Sequence, residues 1–170
     1  MIALRKITAG LAITLGLSAS AGAQASSTVK VSGSGLDHLT TALIHSRIET
    51  RTGSVQRSTE IVDLAGDLKG RVLYHVTTVI DSVHGTLVNT GDQVYSGTVA
   101  GSSPVMIHDN KFRFDVNLVT GHETGRVYLF DHIAGPEVKC TLDVAGTGVN
   151  SEGNPTFTYT GECVFAGART

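Results

Sequence analysis

Between Val138 and Phe165 one pairing register satisfies almost every residue, and that constrains the fold more than any other feature of the chain. The middle of the stretch, "GTGVNSEGNPT", is turn chemistry rich in Gly, Asn and Pro. The flanks alternate apolar and polar residues as two half-buried strands do. Folded about Ser151-Glu152, Cys140 falls opposite Cys163, Leu142 opposite Gly161, and Val144 opposite Tyr159. Gly146 then faces Phe157 and Val138 faces Phe165. All of these share one face, while Lys139, Thr141, Asp143, Thr158, Thr160 and Glu162 share the other. A slip of one residue would turn both faces over and separate the sulfurs. The two cysteines, the only ones in the chain, are therefore expected to form a Cys140–Cys163 disulfide. Closing a loop of this size stabilises by about 3 kcal/mol in the chain-entropy model. A redox pair would favour C-x-x-C spacing in an electropositive setting, and neither is present.

A disulfide implies an oxidising compartment, and the start of the chain agrees. Arg5 and Lys6 precede the apolar run Ile7 to Leu17, which is followed by "SASAGAQA". Ala21-Gly22-Ala23 and Ala23-Gln24-Ala25 both fit the small-x-small rule of a signal peptidase site, and cleavage after Ala25 is the preferred reading. The run is shorter than the roughly 20 apolar residues a membrane span needs. Residues 1–25 are thus expected to be a cleaved signal peptide and residues 26–170 one domain, exported to the periplasm or beyond the cell. The formal charge of −2 becomes more negative once Arg5 and Lys6 are lost. With no basic stripe, nucleic acid is not an expected partner, and no second apolar run suggests an integral membrane protein.

Short runs rich in Val, Thr, Tyr, Ile and Phe alternate with Gly, Asn, Asp and Ser clusters, which is all-β punctuation. Gly70–Ile80 and Gln93–Gly101 read as strands, with a turn at Asn89–Asp92 between them. Val55 to Val62 reads as an earlier strand. "PVMIHDNKFRFDVNLV" reads as two strands joined at Asp109-Asn110, with Phe112, Phe114, Val116 and Leu118 on one face. "GHETG" turns into "RVYLFDHI". In "GLDHLTTALIHSR", Leu36, Leu39 and Leu43 have helical spacing and Asp37 could cap a short helix. The alternation of Ala42, Ile44, Ser46 and Ile48 instead favours a strand from about Ala42, after one helical turn. "SSTVKVSGSG" reads as a loose arm, though it could form a strand.

The closing residues "VAGTG" (144–148) and "FTYTGECVF" (157–165) resemble the last hairpin of dirigent and allene-oxide-cyclase-like barrels. There a Gly-rich turn leads to a Phe, then a small residue and a Gly in the final strand. Gly146-Thr147-Gly148, Phe157 and Gly161 match. Ala145 stands where the family has Gly, and "VNSEGNPT" lengthens a turn that is tight in the family. The resemblance implies a single antiparallel barrel of about eight strands whose interior binds small apolar or aromatic molecules or guides their cyclisation. It carries over no catalytic residue.

Direct chemical signals are sparse. The seven histidines show no H-x-H or H-E-x-x-H spacing, so no metal site is expected. Doublets such as Asp37-His38 and Asp131-His132 point to opposite faces of a strand. No G-x-S-x-G elbow occurs, no motif calls for a cofactor, and nothing selects a pair among Asp81, Asp115 and Asp131. Aromatic residues point further. Tyr74 shares a face with Val72, Val76, Thr78 and Ile80, and Phe114 and Tyr159 lie on apolar faces. Tyr74, Thr78, Phe114 and Tyr159 are the expected ligand-binding residues of an interior pocket, with tyrosine hydroxyls holding a polar end. Two alternatives remain open: a cyclase or isomerase in the same barrel, and an envelope or protein-binding module with a filled core.

Overall fold

The computed structural model describes residues 26–167. The expected signal peptide, residues 1–25, lies outside the described residues. The strands are β1 (Ser27–Asp37), β2 (Leu43–Glu49), β3 (Gly53–Gly66), β4 (Leu68–Asp81), β5 (Thr86–Val99) and β6 (Val105–Asp109). They continue with β7 (Arg113–Asn117), β8 (Glu123–Leu129), β9 (Asp131–Ala134), β10 (Val138–Val149) and β11 (Pro155–Phe165). A single 3-10 turn, Leu39–Thr41, precedes β2, so the helical turn and the strand read from the sequence both occur. No helix of the described residues is long and apolar enough to cross a membrane.

Every pairing is antiparallel, and the sheet closes into an eight-stranded barrel. Around the ring run β1, β3, β4, β5, the β6–β7 strand, the β8–β9 strand, β10 and β11, and β11 returns to β1. The segments β6 and β7 lie end to end along β5, on Gln93–Gly97 and Thr86–Thr90 respectively. Asp109 organises the break between them. Its carboxylate accepts hydrogen bonds from Lys111 N at 2.7 Å, Tyr128 N at 2.9 Å and Gln93 Nε2 at 2.9 Å. Three donors satisfy a group that is almost wholly buried. The break turns Phe112 inward from outside either strand, onto Tyr74 with ring centroids 4.8 Å apart. Only Phe114 and Val116 keep the expected inward face of β7. Leu118 falls beyond its end and is exposed.

The β10–β11 hairpin has the register read from the sequence, Cys140↔Cys163 and Val138↔Phe165 included. One irregularity at Gly146–Gly148 absorbs the longer turn. The disulfide is formed and both sulfurs' residues are fully buried.

Two expectations fail for the same reason. "SSTVKVSGSG" is not a loose arm but most of β1, the strand that closes the ring. A Cβ at Gly33 would strike the Tyr159 ring, and one at Gly35 would strike Phe157. Those glycines make room for aromatic rings on β11, at the far end of the described chain in sequence, rather than loosening the backbone. Likewise Asn89–Asp92 is not a turn but the middle of β5. A Cβ at Gly91 would meet the carbonyl of His75 on β4. The actual β4–β5 turn is Ser82–Gly85, where Gly85 has φ of 65°. The strand expected over Val55–Val62 is longer, running from Gly53 to Gly66.

Strand β2 lies beyond the end of β1 and pairs only with β3. All its residues are exposed, including Leu43, Ile44 and Ile48.

Candidate functional site

The two ends of the barrel are filled differently. At one end, Leu68, Tyr95, Val99, Val105, Ile107, Val138 and the disulfide pack into a solid layer. Tyr159 forms its inner face. Its hydroxyl accepts a hydrogen bond from Leu68 N at 2.8 Å and faces the carbonyl oxygens of Ala65 at 3.0 Å and Leu68 at 3.2 Å. It thereby caps the tight β3–β4 turn, whose Gly66 has φ of 103°.

Beyond Tyr159 the barrel is hollow. A cavity of about 500 Å³ runs to the other end, where Leu39, Gly121, Val149 and Pro155 stand among the residues that line it. Its walls are mostly apolar: Val62, Leu64, Val72, Val127, Leu142, Val144 and Phe157 among others. All four residues expected from the sequence, Tyr74, Thr78, Phe114 and Tyr159, line this one cavity. Phe114 lies across Gly125 of β8, where a Cβ would collide with its ring. The hydroxyl of Tyr159 is committed to backbone, so this residue is a floor and not a polar handle.

The polar handle is elsewhere, and sequence reading missed it. Asp37 at the end of β1, Glu60 on β3, Tyr74 on β4, Asn89 on β5 and Glu123 on β8 all line the cavity. Glu60 is 5% exposed and accepts a hydrogen bond from Ser58 Oγ at 2.6 Å. Asp37 is pushed up to about 8, first by burial, then by the charge of Glu60, a side-chain hydrogen bond with Glu60 and the charge of Glu123. Like charge nearby and burial both disfavour the ionised form of Asp37, which therefore keeps its proton near neutral pH. Burial also raises Glu123. The Tyr74 hydroxyl is raised well above the usual phenol range by burial and then by the charges of Glu60, Asp37 and Glu123. Asn89 hydrogen-bonds Tyr74 and opposes that rise. The Oδ1 atoms of Asp37 and Asn89 have no hydrogen-bond partner within the protein. Among the described residues no Lys, Arg or His lines the cavity.

No protein-family model, curated protein or solved structure matches this chain.

The signal for Glu60 was present in part. It lies in phase with Val62 and Leu64, which face inward, and so its side chain must enter the barrel. Asp37 gave no such signal, because it read as the possible cap of a short helix, whereas it ends β1 and the 3-10 turn that follows has no side-chain cap. The other acidic candidates lie outside the cavity. Asp81 pairs with His84 at 2.8 Å, Asp115 with Arg113 and Asp131 with His108 at 3.4 Å. His38 pairs with Asp63 at 2.9 Å and His75 with Asp92 at 3.2 Å. Each partner sits on another strand, across a turn or, for Arg113 and Asp115, two positions along one strand, never in the neighbouring position. Among the described residues no group of three or more His, Cys, Asp or Glu is placed to hold a metal ion.

Proposed function

We propose that this chain is an exported barrel that holds a small, largely apolar molecule in its cavity, with the molecule's polar end at the Asp37–Glu60 pair. The observation that carries the reading is the hollow half itself, of about 500 Å³ with apolar walls and a few convergent polar groups. That is the size and make-up of small-molecule sites, which span about 300–1,000 Å³. Export is supported by the buried disulfide and by the leader-like residues 1–25. Membership of the dirigent and allene-oxide-cyclase-like barrels is part of the same proposal and rests on the closing hairpin.

A second reading, an isomerase or cyclase, is favoured by one observation. A carboxyl pushed up to about 8 by burial and by a neighbouring carboxyl can give and take a proton near neutral pH. Asp37 would then serve as acid and Glu60 as the group that sets its affinity for the proton.

Titration with the neutral fluorophore N-phenyl-1-naphthylamine tests the binding reading. One probe per barrel, displaced competitively by decan-1-ol, is the expected result. An unchanged probe spectrum at saturating protein would retire it and leave the filled-core module. For the catalytic reading, Asp37→Asn would abolish turnover of a bound substrate that it still binds.

A further inference from the structure

The cavity's polar groups are unbalanced in a way that selects a ligand head. Asp37, Glu60 and Glu123 enter from three strands, β1, β3 and β8, and Tyr74 enters from β4. Among the described residues no cationic side chain faces them. Two acceptors among the lining residues are also left without a donor. Ser58 Oγ donates to Glu60 and the Gln93 amide is committed to Asp109, while the neutral donors of Gln56, Tyr74, Thr78 and Asn89 also line the cavity and carry no positive charge. Asp37 Oδ1 and Asn89 Oδ1 remain acceptors with no donor. A carboxylate ligand would add a like charge and no donor, and an alcohol would add one donor. A protonated amine brings three donors and the opposite charge.

We infer that the cavity takes a lipophilic ammonium ion, its hydrocarbon body against the apolar walls and its protonated amine among Asp37, Glu60 and Glu123. This rests on the cavity reading proposed above and names the ligand class for it. Taking an ammonium out of water is costly, and charge-assisted hydrogen bonds to carboxylates offset that cost only where they are close and unscreened. The nearly closed setting of Glu60 meets the condition. Arrival of the cation favours the ionised form of Asp37. The proton that Asp37 holds then leaves to solvent, so the complex forms with proton release. Nothing else is exchanged: no covalent bond forms or breaks.

The test uses the mature protein and three ligands with the same chain, decylamine, decan-1-ol and decanoate, by calorimetry at pH 7. Decylamine is expected to bind at least about tenfold more tightly than decan-1-ol, the scale of one hydrogen bond to a charged group, and decanoate more weakly than either. Repeating the titration in buffers of different ionisation heat should show close to one proton released per decylamine and none per decan-1-ol. In Glu60→Gln the ratio of the two affinities should narrow. Equal affinities for amine and alcohol in the wild type, without proton release, would overturn the ammonium inference and leave the cavity reading standing. Failure of all three to bind would overturn both.

Discussion

The stapled end and the open end of the barrel are built from the same strands, with the same alternation, yet one is solid and the other hollow. At the stapled end, inward positions carry Leu68, Ile107, Val138 and Tyr95, and the disulfide ties β10 to β11 where they meet. Further along those strands, inward positions become Thr78 on β4, Asn89 on β5 and Gly146 on β10. Side chains of that size cannot meet across an eight-stranded barrel. Tyr159 marks the boundary, with its ring toward the cavity and its hydroxyl in the β3–β4 turn. Closure of a barrel therefore does not determine whether it has an interior. The size of the inward side chains along each half does.

That division of labour makes stability a property of one end and recognition of the other. Replacing Cys140 and Cys163 together by Ala should have the largest effect, a loss of about 2–4 kcal/mol in urea unfolding, with probe affinity at the open end nearly unchanged. Tyr159→Phe should lose about 1–3 kcal/mol, because it leaves the buried Leu68 N–H without its acceptor. If either change abolished probe binding at temperatures where the barrel stays folded, the two ends would not be separable.

The open end should show itself in pH dependence. The unfolded chain releases the Asp37 proton near pH 4, as a free aspartate does at about 3.9, whereas the folded barrel keeps it up to about 8. Its contribution is therefore whole below pH 4 and is lost as pH rises toward 8. The slope is at most about 1.4 kcal/mol per pH unit. Burial of Glu123 acts in the same direction. Asp63 and Asp81 act oppositely. They are held below the usual range by hydrogen bonds from Arg71 and His84 respectively, and their contribution is lost only in acid. Stability should thus decline from pH 5 to pH 8 in the wild type, and Asp37→Asn should flatten the decline.

How far the sequence could be read follows from where each constraint lies. The β10–β11 register was legible because four independent features agreed within one hairpin: two cysteines, two apolar faces, two polar faces and a turn. Tyr74, Thr78 and Phe114 were legible as interior residues because period two operates within a single strand. Strand β1 was not, because Gly33 and Gly35 are complementary to Tyr159 and Phe157 on β11. A glycine opposite a distant ring looks, in sequence, like a glycine in a flexible arm. The Asp37–Glu60 pair was hidden for a related reason. It exists only where the end of β1 meets the middle of β3, and neither residue has a signal of its own until both strands are placed.

The smallest expected change in stability is also the most informative. Thr78→Phe projects a ring into the open half from the last third of β4, between Gln56 and Asn89 on the neighbouring strands. Urea unfolding and N-phenyl-1-naphthylamine titration on this single variant read the two halves of the account together. A hollow interior predicts a stability change within about 0.5 kcal/mol, as for a site with room, together with loss of probe binding. A loss of about 1–3 kcal/mol, the cost of overpacking a filled core, in a protein whose wild type binds no probe, would contradict it.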